Sequence, residues 1–165
     1  MRHLVVLAAI LSAALFVCPP PPLAPSASAQ DKKKDGDKDK EKERKKEQQR
    51  REKVLTEIGA NATAKSTTLL LNRVPKDGKL RLALGAKAEE KDYSVDTARG
   101  VLDTYFDGMQ TFDVDTTNMT VSGSSATYGV KFRRKGKDTD RNATLSVSVG
   151  AADAGYPLTR FVVDK

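Results

Sequence analysis

The chain has 165 residues, with 29 Lys and Arg against 22 Asp and Glu, a formal net charge of +7, one His, one Cys and no Trp. Its single histidine and cysteine, His3 and Cys18, both lie in an N-terminal segment that reads as removable. Without that segment the chain has no thiol and no imidazole, which excludes a Cys/His zinc site, a Ser-His-Asp or Cys-His catalytic arrangement and any disulfide.

Arg2 and His3 precede an apolar run at residues 4–17, prolines follow at residues 19–22, and a small polar stretch ends at Ala27-Ser28-Ala29. That is the layout of a secretory signal peptide with an A-x-A cleavage site. Residues 1–29 are therefore expected to leave on export, with Gln30 as the mature N-terminus and a periplasmic or secreted location. The run is shorter than the ~20 apolar residues that span a bilayer. The alternative is a lipoprotein acylated at Cys18, against which stand the bulky Leu15, Phe16 and Val17 just before it.

Residues 30–53, "QDKKKDGDKDKEKERKKEQQRREK", contain no apolar residue and cannot bury a face. The part around Gly36 is expected to be disordered. From about Lys40 the pairs Glu41/Lys45 and Glu47/Arg51 at i,i+4 support helix, each by about 0.2 to 0.5 kcal/mol. The segment reads as a charged disordered or helical stalk, serving as a soluble spacer or as a basic arm.

The composition changes at Val54. Val54, Leu55, Ile58 and Ala62 form one apolar stripe of a helix that enters a domain spanning residues 54–165, long enough for one small core. Leu69 to Val74 and Leu80 to Leu84 then alternate around Pro75-Lys76-Asp77-Gly78, predicting a hairpin, with residues 86–91 as a charged connector.

"DYSVDTARGVLDTYFDGM", residues 92–109, predicts a helix capped by Ser94. Val95, Ala98, Val101, Leu102, Tyr105, Phe106 and Met109 share one face, while Asp96, Asp103 and Asp107 share the other with Gly100, so these acids are expected to face water. Arg99 is placed to pair with Asp103. Beyond Met109 the period becomes two. Phe112 and Val114 begin a strand that Met119 and Val121 continue. Ala126, Tyr128, Val130 and Phe132 line one face of the next, Ala143, Leu145, Val147 and Val149 that of a third, and residues 158–163 make the last. Short turns join these four as an antiparallel meander with one apolar and one wet face.

"LLLNRVPKDGKLRLALG", "YSVDTARGVLDTYFDGM", "ATYGVKFRRKGK" and the ending "GYPLTRFVVD" resemble the nuclear transport factor 2-like superfamily, and within it small secreted bacterial members of the domain of unknown function 4783 family. The resemblance covers about residues 54–165. It implies an α+β cone: an N-terminal helix, a hairpin, a second helix and a curved four-stranded antiparallel sheet. That family brings no established activity. The superfamily also contains ketosteroid isomerases and dehydratases, which use Asp, Tyr and often His inside the cone, and no such motif can be matched position by position here. The candidates to line a cone are Tyr105 and Tyr128. Asp113 and Asp115 are out of phase with Phe112 and Val114 and are expected to point away from it.

Lys131, Arg133, Arg134, Lys135, Lys137 and Arg141 cluster around one hairpin beside Asp138 and Asp140. They offer an anion-binding tip for an envelope polymer or lipid, or are simply a solvated tip; without interleaved aromatics, nucleic acid is not the expected partner. Sequons at Asn61, Asn118 and Asn142 are expected to stay bare. The reading is an exported, non-catalytic binding or interaction module that takes a small apolar ligand or a second copy of the chain, with no metal and no cofactor. The alternative is a small-molecule isomerase or dehydratase of the ketosteroid isomerase kind.

Overall fold

The computed structural model describes the backbone of residues 28–164 and the side chains of residues 38–164. The apolar run at residues 4–17, His3 and Cys18 lie outside the described residues. The chain divides into two compact units, residues 1–38 and residues 39–165, and of the first only the opening turns of one helix are described.

That helix, α1 (Ser28–Thr63), covers the whole charged segment, including the stretch around Gly36 where the composition suggests disorder. Lys, Glu, Gln and Arg are good helix formers, and one interior Gly costs only about 1 kcal/mol. Packing nucleates the C-terminal turns, after which propagation costs little per residue. Both expected pairs form, Glu41–Lys45 at 2.7 Å and Glu47–Arg51 at 2.9 Å. Leu55, Ile58 and Ala62 are fully buried, so the stripe read from the spacing is the face that enters the core.

The next stretch departs from expectation. Residues expected to open a hairpin form a short helix, α2 (Thr67–Leu71), with the Ser66 hydroxyl accepting from the Leu69 N–H. Leu70, Leu71 and Val74 are buried and Leu69 is exposed. A short apolar run fits either period, and here helix brings more leucine to the core. The Pro75 turn does form, with the Gly78 N–H donating to the Pro75 carbonyl. The hairpin lies one element later, where β1 (Lys79–Leu84) pairs antiparallel with β2 (Lys91–Ser94). Lys91, expected in the connector, is already in the strand.

α3 (Val95–Asp107) follows its sequence closely: Ser94 caps it, Ala98, Leu102 and Phe106 are buried, and Asp96, Asp103 and Asp107 are exposed. Arg99, however, donates to the Thr68 hydroxyl at 3.2 Å rather than pairing with Asp103. A cation placed four residues before an acid is the weaker orientation on a helix.

The strands β3 (Met109–Val114), β4 (Thr120–Ser122), β5 (Ser125–Arg134), β6 (Arg141–Val149) and β7 (Leu158–Asp164) complete one sheet in the order β2-β1-β7-β6-β5-β3, with β4 also on β5. Met119 and Val121 do not continue β3. The Asp115 carboxylate accepts from the Thr117 and Asn118 N–H groups and the Asn118 amide, and this turn breaks the strand. β1 and β7 pair in parallel, fusing the hairpin and the meander into a single mixed, curved, unclosed sheet.

α1 and α3 cover the inner face of that sheet. Phe106 stands edge-on to Phe112 and Phe161 at 5.4 and 6.4 Å, a favourable arrangement beyond simple burial. Lys65, in the left-handed region at φ 52, sends its ammonium to the Met109 and Gln110 carbonyls. The Val114 N–H donates to the Thr63 hydroxyl at 3.1 Å. The end of α1 thereby occupies part of the free edge of β3, which would otherwise be open to another strand.

Candidate functional site

Inward-facing side chains of the sheet pack with those of α1 and α3 in one buried cluster. Tyr128, on β5, is 1% exposed, and its phenol donates to the Leu55 carbonyl of α1 at 2.8 Å. Burial pushes that phenol up to about 12. At Gly59, one turn further along α1, an added Cβ would lie 2.7 Å from Thr116 Cγ2 and 3.2 Å from the Tyr128 ring. At Gly59 the helix therefore comes too close to Thr116 and the Tyr128 ring to admit a side chain.

Tyr105 has different surroundings. It is half-buried on α3, edge-on to Phe106 and Phe112 at 5.8 and 6.1 Å. Burial pushes its phenol up to about 12, with Arg134 pulling weakly the other way. Asp113 and Asp115 are exposed, as the alternation predicts. The Asp115 carboxyl is held below its ordinary value by its bonds to Asn118 and Thr117. Among the described residues no group of three His, Cys, Asp or Glu is placed to hold a metal ion, and no helix is long and apolar enough to cross a membrane.

A contact that sequence reasoning does not find ties α1 to the far end of the sheet. The Arg51 guanidinium donates to the Gly123 carbonyl and to Glu47, and lies 5.8 Å from the centre of the Tyr156 ring. The Tyr156 phenol donates in turn to the Glu47 carbonyl. Open depressions flank the helix there, one of about 430 Å³ bordered by Arg44, Gln48 and Gly123, another of about 440 Å³ bordered by Lys46, Arg50 and Tyr156. No local pattern links Arg51 to Tyr156, because the two meet only when the chain returns from β6 to β7.

The structure brings the six hairpin cations together at the joined ends of β5 and β6, where Phe132 faces Arg141. Lys131 and Arg133 both reach Asp140, at 3.1 and 2.7 Å. Arg133 first and Lys131 second hold the Asp140 carboxyl below its ordinary value. Arg134, Lys135, Lys137 and Arg141 pair with no acid among the described residues, and residues 134–142 are all exposed. The tip is nevertheless braced, since the Lys135 N–H donates to the Gly108 carbonyl at 3.0 Å and Gly136, at φ 71, takes the left-handed turn position. The outer-face arginines at the other edge of the sheet differ in this respect. Arg81 and Arg160 are neighbours across β1 and β7, and each has its own acid, Asp92 and Glu90.

No protein-family model and no curated protein matches the chain. Solved structures do match. A cystatin-fold protein from Novosphingobium aromaticivorans superposes with a TM-score of 0.53 at 11% identity, over 70% of this chain and 97% of that one. A protein described as a SnoaL-like polyketide cyclase from Shewanella putrefaciens gives 0.50 at 16% identity, over 68% and 77%. A domain of unknown function 4783 family protein from Bacteroides ovatus gives 0.47 at 11% identity, over 66% and 91%. At such identities the likeness speaks to fold alone. The chain has the nuclear transport factor 2-like fold, α+β with a helical N-terminal part against a curved, unclosed mixed sheet.

Proposed function

We propose that this chain is a non-catalytic binding module that works outside the cytoplasm, and that it binds through its outer surface rather than inside its cone. The observation that carries this reading is the bond from the Tyr128 phenol to the Leu55 carbonyl beneath α1. Isomerase chemistry in a cone calls for a phenol and a carboxylate facing one enclosed space, with environments that push their pKa values apart. Here one candidate phenol is engaged by the backbone in a packed seam, and Asp113 and Asp115 face solvent. Both observations favour binding at the surface over turnover within.

A mass spectrum of the purified protein under non-denaturing conditions tests this. We expect the mass of the chain, or of a small multiple of it, with nothing else attached. A stoichiometric apolar small molecule that leaves on denaturation would place the binding site inside and overturn the surface reading. Export is tested separately by N-terminal sequencing of the protein recovered from its host. A start at Gln30 supports cleavage after Ala29, whereas a lipid-modified Cys18 would make this an anchored protein.

A further inference from the structure

We propose that the β5–β6 hairpin tip docks the domain on an anionic lipid surface, a proposal that rests on the binding-module reading and names its partner. Residues 54–165 carry 16 basic and 14 acidic side chains, and residues 131–141 hold 6 of those basic and 2 of those acidic ones. The hairpin thus bears a formal +4 while the rest of the domain bears −2. The positive charge of the domain is concentrated at one place, and structure sharpens it, because Asp140 engages Lys131 and Arg133 while Arg134, Lys135, Lys137 and Arg141 pair with no acid among the described residues.

The shape of the tip favours a surface over a polymer chain. Nine consecutive exposed residues, 134–142, run from the end of β5 through the turn to the start of β6, whereas a polyanion is held along a charged groove. Arg134, Lys135, Lys137 and Arg141 border none of the depressions described beside α1. No aromatic or aliphatic residue other than Ala143 follows Phe132 before Leu145, and Phe132 is fully buried, so the contact is electrostatic and does not insert. The part of α1 around Arg51 is too far away to share it. Arg51 meets Gly123 at the other end of β5, and a 10-residue strand is about 33 Å long. That is roughly four screening lengths of about 8 Å at physiological ionic strength.

The test is co-sedimentation of the full chain with vesicles of phosphatidylcholine mixed with phosphatidylglycerol, against phosphatidylcholine alone. Each cation near such a surface strengthens binding about fivefold. The quadruple variant Arg134→Ser, Lys135→Ser, Lys137→Ser, Arg141→Ser should therefore bind two to three orders of magnitude more weakly, with its thermal unfolding unchanged. Should that variant misfold, the pair Lys135→Glu and Lys137→Glu at the tip asks the same question, and Arg134→Lys with Arg141→Lys should bind like the parent. Replacing Lys40, Lys42, Lys45 and Lys46 by Ser should leave most of the binding in place, and salt above physiological strength should abolish it. The proposal is overturned if the parent chain ignores phosphatidylglycerol, if only the α1 variant loses binding, or if soluble polyphosphate is bound and vesicles are not. None of those outcomes bears on whether the cone holds a ligand, which the native mass spectrum reads.

Discussion

The phenol of Tyr128 donates to the main-chain carbonyl of Leu55 at 2.8 Å, so a large inward-facing side chain of the sheet ends on the backbone of the helix that covers it. A buried neutral hydrogen bond contributes about 0.5 to 1.5 kcal/mol net. Tyr128→Phe should therefore lower stability by about 1 kcal/mol in urea denaturation, with an unchanged slope. A substitution without effect would mean that α1 does not sit on the sheet at this point.

Two glycines of α1 and α3 should respond in opposite directions to the same change. Gly100 lies on the wet face of α3 with nothing within 4 Å of an added Cβ, so Gly100→Ala should stabilise by about 0.5 to 1 kcal/mol. Gly59→Ala gains the same propensity but meets Thr116 and Tyr128, and overpacking of this kind costs about 1 to 3 kcal/mol. The double variant Gly59→Ala, Thr116→Ser removes the struck methyl and should recover part of the loss. If Gly59→Ala stabilised on its own, the close approach would be wrong.

Whether the acids of α3 form only a wet face has a stability answer. Phe106 is 3% exposed within the aromatic cluster, and Phe106→Ala should cost about 3 to 5 kcal/mol. Asp103→Asn and Asp107→Asn, both exposed, should each stay within about 0.5 kcal/mol. Thermal melts of the three variants check this ordering, and comparable losses at the aspartates would mean a rotated helix.

Alkaline titration reads two phenols, one buried and one half-buried. Tyr105 and Tyr128 have values raised from 10.0 to about 12 by burial. Their phenolate absorbance should appear near pH 12 in the folded chain and near pH 10 once it is unfolded in urea. Because the folded value is the higher one, the stabilisation is fully present below pH 10 and is lost as pH rises through about 12. For Tyr128 the difference of two units corresponds to about 3 kcal/mol. Stability that is flat from pH 9 to 12, followed by urea midpoints, would contradict the burial of Tyr128.

Local chemistry in the chain was enough for α3, because Ser94, the apolar stripe through Phe106 and the wet aspartates act within a few turns. The same holds for β5 and β6, whose alternation at Ala126 to Phe132 and at Leu145 to Val149 matches their burial residue by residue. It also marked the cationic hairpin. Where two periods fitted equally well, at Leu69 to Leu71, only the space left in the core chose helix over strand. The parallel pairing of Arg81 with Arg160, the seat of Arg51 on Tyr156 and the reach of Lys65 to Met109 join residues far apart in the chain. Which hairpin cations meet an acid was settled in the same way, by where Asp140 falls once β5 and β6 are in register. Periodicity and capping energies are local and can be read along the chain, whereas register, close approach and charge pairing depend on distances that exist only after the sheet has closed on its helices.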